Sequence, residues 1–118
     1  MHDIQRLAGT ARMSSAVVVN GLVFTQGITA RGVDEDVASQ TRKCLEKLDE
    51  ILQTAGSDRS AILKVTIWLK TMDDFDAMNR VYDEWVPKEH LPVRACVEAK
   101  LADPSLLVEI QAEACLCQ

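Results

Sequence analysis

The chain has 118 residues, a length suited to one domain spanning residues 1–118. Its 13 Lys and Arg stand against 18 Asp and Glu, a net charge of −5; that acidity disfavours a phosphate-backbone partner, so no nucleic acid is expected. The longest strongly apolar run, Ala16–Val19, is far too short to span a bilayer, and Met1-His2-Asp3 lacks a charged-then-apolar leader pattern, so a cytoplasmic protein with no membrane partner is expected.

Val17, Val18 and Val19, then Leu22, Val23 and Phe24, flank Asn20-Gly21, a dipeptide that readily takes the positive φ angles of a tight turn. This predicts a β-hairpin ending near Gly27. After Ala30-Arg31-Gly32-Val33, the acidic residues Asp34, Glu35 and Asp36 stand where the positive end of a helix dipole favours them. Val37, Thr41, Cys44, Leu45, Leu48, Ile51 and Leu52 then recur at helical spacing, and Gly56 supplies a left-handed stop, which predicts one long amphipathic helix. From Leu63 the period falls to two: Leu63, Val65, Ile67 and Leu69 on one face, Lys64, Thr66, Trp68 and Lys70 on the other. A second helix is predicted from about Asp73, with Phe75, Met78, Val81, Tyr82 and Trp85 on its apolar side, stopping before Pro87. Pro92 to Lys100 alternates again, Val93, Ala95, Val97 and Ala99 opposite Arg94, Cys96, Glu98 and Lys100. A turn through Asp103-Pro104-Ser105 leads to a last strand with Val108, Ile110, Ala112, Ala114 and Leu116 opposite Glu109, Gln111, Glu113, Cys115 and Cys117.

The order β-β-α-β-α-β-β predicts an α+β fold, two helices packed on one face of a mixed, mostly antiparallel sheet. The other face is expected to carry Trp68, Arg94, Cys96, Glu98, Glu109 and Gln111, too polar for a core and too aromatic for simple solvation. Such a face suggests partial burial against another subunit. The four cysteines fall in a helix stripe and in strand-like runs, and His2 and His90 are the sole histidines, so structural thiols and no metal site are expected.

Arg94, in Pro92-Val93-Arg94-Ala95-Cys96, follows a proline-stiffened start of a strand, and its guanidinium fork suits a carboxylate. Spacing alone leaves open a structural arginine paired with Glu98 or Glu109. Gly27, Gln40-Thr41, Leu48, Ile51-Leu52, Ala55-Gly56, Val65-Thr66, Asp74-Phe75, Asn79, Tyr82, Pro92-Val93-Arg94, Cys96-Val97-Glu98 and Val108-Glu109-Ile110 together closely resemble the RidA/YjgF family of reactive-intermediate deaminases, from about Arg12 to the end. The resemblance implies a chorismate-mutase-like fold, a homotrimer with three clefts between subunits, and hydrolysis of enamine or imine intermediates such as 2-aminoacrylate to a 2-keto acid and ammonia, with no metal or cofactor. It implies that Arg94 holds the substrate carboxylate and that Glu109 positions the attacking water. It implies too that backbone groups of Cys96 and Gly27 line the pocket and that Asn79 supports it. Cys96 is expected to be a wall residue rather than a nucleophile, because no histidine is placed as its base.

The chain departs from the family pattern at two places. Met13 or Ser14 stands where relatives carry a tyrosine, and Gln26 stands at a substrate-binding position usually held by a serine or threonine. These departures favour a different imino acid, and keep in view a larger unsaturated amino acid such as an aminomuconate. A non-catalytic regulatory trimer that binds small carboxylates would use the same Arg94. Ribonuclease activity, attached to relatives, fits poorly with the −5 charge and the lack of a basic, aromatic stripe.

Overall fold

Asn20 and Gly21 both take positive φ, 52° and 78°, as a two-residue hairpin turn demands. They join β2 (Ala16–Val19) to β3 (Leu22–Thr25) in the register Val19↔Leu22. The computed structural model describes residues 3–32 and 35–117; Met1, His2, Val33, Asp34 and Gln118 lie outside them. Two short strands add to the expected order: β1 (Gln5–Leu7), antiparallel to β2, and β4 (Ile28–Thr29), antiparallel to the last strand.

Helix α1 (Val37–Ala55) begins where the Asp36 carboxylate accepts the Ser39 N–H at 2.9 Å, and ends where Gly56 turns left-handed at φ 91°. Strand β5 (Ile62–Leu69) follows. A 3-10 turn capped by Thr71 leads into α2 (Phe75–Trp85). Strand β6 (Val93–Glu98) then pairs parallel to β5, as a helical crossover requires, and β7 (Val108–Cys115) enters antiparallel between β3 and β5. The sheet order is β1-β2-β3-β7-β5-β6, with β4 continuing the β3 edge of β7. Val23, Ile28, Val65, Ile67, Leu69, Val108, Ile110 and Ala112 form the inner sheet face, buried with Cys44, Leu45, Leu48 and Leu52 of α1 and Met78, Val81 and Tyr82 of α2. No helix among the described residues is long and apolar enough to cross a membrane.

Two strand faces differ from expectation. Pairing of β5 with β7 slips by one residue between Ile62 and Lys64, so Ile62 turns inward and Leu63 is left 47% exposed. In β6 the apolar set is the one facing out: Val93 is 69% exposed and Val97 47%. The register Val65↔Arg94 and Ile67↔Cys96 sets Arg94 and Cys96 in the row of the β5 core residues. Alternation separates two faces of a strand, but only pairing decides which one meets the helices.

Candidate active site

On α2, Phe75, Asn79 and Tyr82 are spaced i, i+4 and i+7, which aligns them along one face of the helix. That face receives Arg94 from the sheet edge. The Arg94 Nη1–H donates to Asn79 Oδ1 at 2.7 Å, and its guanidinium carbon lies 4.7 Å from the Tyr82 ring centre and 5.9 Å from that of Phe75. Among the described residues, no carboxylate forms an ion pair with Arg94. Glu98 instead accepts the Met72 N–H at 2.9 Å. A guanidinium has five N–H donors, so most of the fork has no partner within the described chain. Cys96, half-buried in the same row, has its thiol pushed up by burial, with the Arg94 charge opposing.

Glu109 belongs to the other face, in register with Trp68 of β5 and Thr29 of β4. Between the pairs Phe24↔Glu113 and Ile28↔Ile110, three residues of the β3–β4 edge oppose two of β7, a one-residue bulge. Thr25 closes it: its hydroxyl accepts the Ala112 N–H at 3.1 Å and donates to the Gln26 carbonyl at 2.9 Å, while Gln111 Nε2 donates to the Thr25 carbonyl at 3.0 Å. The bulge brings Gly27 against Glu109. A Cβ at Gly27 would lie 2.1 Å from Glu109 Oε2, so only glycine admits the carboxylate there. Glu109 is half-buried and makes no hydrogen bond or ion pair among the described residues; burial pushes its carboxyl above the usual range. Gln26 donates its backbone N–H to Ser15 O at 2.9 Å and borders a recess with Glu50, Ile51 and Thr54 of α1.

The expected site residues therefore fall into two separate groups. One is Arg94, Asn79 and Cys96 under α2; the other is Gly27 and Glu109 on the uncovered face. Arg94 is opposite Val65, which is opposite Ala112, three residues along β7 from Glu109. Two strand spacings of about 4.8 Å and three residues of about 3.3 Å put the two backbones roughly 14 Å apart, with the side chains on opposite faces. The expectation that Arg94, Cys96 and Glu98 share a face with Trp68, Glu109 and Gln111 is thus corrected by the β5–β6 register. Phe75 and Tyr82, expected only as core residues, are the aromatic seat of Arg94, and their helical spacing with Asn79 is the signal that marks it.

All four cysteines are free. The buried Cys44 thiol donates to the Ile28 carbonyl at 3.4 Å, and burial pushes its pKa up to about 12. Cys117, exposed, donates to Asp58 Oδ2 at 3.2 Å. Among the described residues, no group of three or more His, Cys, Asp and Glu side chains comes together to hold a metal ion.

The model of the endoribonuclease L-PSP family matches residues 3–116. A RutC family protein, YoaB, from Escherichia coli is 39% identical over 108 residues, covering 92% of this chain and 94% of that protein. A RutC family protein from Haemophilus ducreyi is 37% identical over 107 residues, covering 91% and 92%. The crystal structure of a YjgF family member from Neisseria meningitidis superposes with a TM-score of 0.95 at 40% identity, covering 98% of this chain and 97% of that one.

Proposed function

The chain belongs to the YjgF/RutC family of endoribonuclease L-PSP-like proteins, and from that premise we propose that it is an enamine/imine deaminase that hydrolyses reactive 2-imino acids, of the 2-aminoacrylate type, to 2-keto acids and ammonia. Its sites lie between the copies of a homotrimer, the Arg94 half from one subunit and the Glu109 half from the next. The observation that carries this reading is the seat of Arg94: Asn79, Tyr82 and Phe75 hold the cation, all three are neutral, and no acid of the described chain balances it. A cation held this way is a receptor for a carboxylate, which it takes through two parallel hydrogen bonds. The uncovered sheet face supports the assembly, since Val93, Val97 and Leu22 are exposed there alongside half-buried Phe24 and Trp68.

The chemistry asks little beyond positioning. With the substrate carboxylate on Arg94, the protonated imine carbon is already electrophilic. Glu109 takes a proton from water as the water oxygen bonds to that carbon and returns it to nitrogen; the carbon–nitrogen bond then breaks as the new hydroxyl gives its own proton back to Glu109, which releases it to solvent, so that the sum is imine plus water to ketone plus ammonia. A carboxyl pushed up by burial suits both halves of that exchange. Cys96, a largely neutral thiol, forms wall. A larger unsaturated substrate would exploit the departures at Met13 and Gln26; a non-catalytic carboxylate binder would use Arg94 but has no need of a bulge that brings Gly27 against Glu109.

The test generates a 2-imino acid in situ with an amino-acid oxidase and follows ammonia and keto-acid release. Acceleration over spontaneous hydrolysis supports the proposal. No acceleration, together with calorimetric binding of the 2-keto acid, would make the protein a carboxylate binder instead.

A further inference from the structure

Nothing polar in the described chain fixes the Glu109 carboxylate, so whatever orients it does so by packing. Two neighbours flank it. On one side Gly27 leaves the space that the carboxylate fills, with Glu109 Oε2 2.1 Å from the position of the missing Cβ and Cδ 3.1 Å from it. On the other, Trp68 is the register partner of Glu109 on the same face. Directly opposed residues of an antiparallel pair hold their Cβ atoms about 4.5–5.5 Å apart. Leu63, Lys64 and Thr66 lie farther back along the outer side of β5, so this half-buried indole is the large apolar side chain that stands beside the acid. Trp85 is tied by its indole N–H to Asp49 Oδ2 at 3.1 Å, whereas the Trp68 N–H makes no hydrogen bond among the described residues.

We infer that Trp68 is a positioning residue: with Gly27 it forms a slot between β4 and β5 that orients the Glu109 carboxylate and keeps bulk water off it. The inference rests on the proposed role of Glu109. The charged and titratable groups on the adjoining elements do not account for the state of the acid. Cys44 on α1 is neutral behind the sheet, Lys47 of α1 donates to the Thr29 carbonyl at 2.8 Å, and Lys64 and Glu113 face each other at 3.7 Å. Burial is the one cause that raises the Glu109 carboxyl, and removal of the indole removes part of that burial.

The experiment titrates Glu109 directly by carbon NMR of glutamate-labelled protein, with the signal assigned by its absence in Glu109→Gln. It compares the assembled wild type with Trp68→Phe, Trp68→Ala and Gly27→Ala. Trp68→Ala should move the Glu109 midpoint down towards the ordinary glutamate value and lower kcat about 100-fold with little change in KM, as a misplaced catalytic group does. The acid limb of the rate profile should move down with the NMR midpoint, and Trp68→Phe should restore most of both. An unchanged midpoint in an assembled Trp68→Ala protein would overturn the inference. Should that variant not assemble, Gly27→Ala pushes on the carboxylate from the opposite side, and an unchanged midpoint there would overturn it equally. If the midpoints move as expected but wild type hydrolyses no imine, the slot stands and the deaminase reading fails.

Discussion

Arg94→Ala removes a cation whose single hydrogen bond among the described residues goes to Asn79 Oδ1, at 2.7 Å. The folded chain loses that bond and the stacking on Tyr82, a cation–π contact of about 0.5–2 kcal/mol. It loses no ion pair among the described residues, none of whose carboxylates stands against the guanidinium. The ligand loses far more. Truncation of one partner of a desolvated, hydrogen-bonded charge pair costs about 2–5 kcal/mol, which is about 30-fold to several thousand-fold in kcat/KM. The assay is ammonia release from a carboxylate-bearing imine beside the same measurement on an imine without a carboxylate, with thermal unfolding of both proteins as the check on folding. The carboxylate-bearing substrate should show the full loss and the other little of it, because the deleted contact is absent from its reaction. Arg94→Lys should recover only part, as an ammonium cannot reproduce the planar fork. Wild-type kcat/KM for the Arg94→Ala variant on the carboxylate-bearing imine would refute the clamp.

Glu109→Gln should abolish most turnover, because an amide cannot accept the proton. Its effect on stability has the opposite sense: a carboxyl raised by burial in the folded state contributes stability that is fully present below its unfolded pKa and lost as pH rises through the folded value, so Gln should be at least as stable as Glu in thermal unfolding at neutral pH. Cys96→Ser should keep most of the rate across the pH profile, since the thiol is raised by burial and acts as wall; a dead Cys96→Ser with a near-normal Glu109→Gln would require a covalent mechanism. Gln40 is buried, donating to the Ser105 carbonyl at 2.9 Å and accepting the Leu107 N–H at 2.9 Å, so it pins the approach to β7 onto α1. Gln40→Leu should lower the urea midpoint by the equivalent of about 2–3 kcal/mol at unchanged m-value, because it strands buried backbone groups.

The elements were legible where local chemistry determines them. Asn20-Gly21 forces the hairpin, Asp36 and Gly56 bracket α1, and Pro87 lies just past the end of α2. The strand β4 and the bulge before it were not legible, since Ile28-Thr29 is too short for a period and the extra residue shows only against β7. Ile62 and Leu63 are both apolar, and pairing alone decides which one turns inward. Arg94 suffered most from this. Val93, Ala95 and Val97 form the more apolar face of β6, and reading that face as inward turned Arg94 away from α2. The pattern is inverted because β6 is an edge strand, whose polar face meets α2 and whose apolar face the proposed trimer covers. Of the seat itself, Phe75 and Tyr82 were visible as helix stripe, and Asn79 stands between them at i+4, a spacing whose meaning shows only once Arg94 is placed against it.

The most direct test of a site shared between copies is complementation. Arg94→Ala and Glu109→Gln chains, each inactive alone, are unfolded together in equal amounts, refolded and assayed. In a closed trimer each cleft draws Arg94 from one chain and Glu109 from its neighbour, so random mixing leaves about one cleft in four with both native residues. Recovery of about a quarter of the wild-type rate is expected. A mixture no more active than its two components, although sedimentation shows mixed trimers, would contradict it.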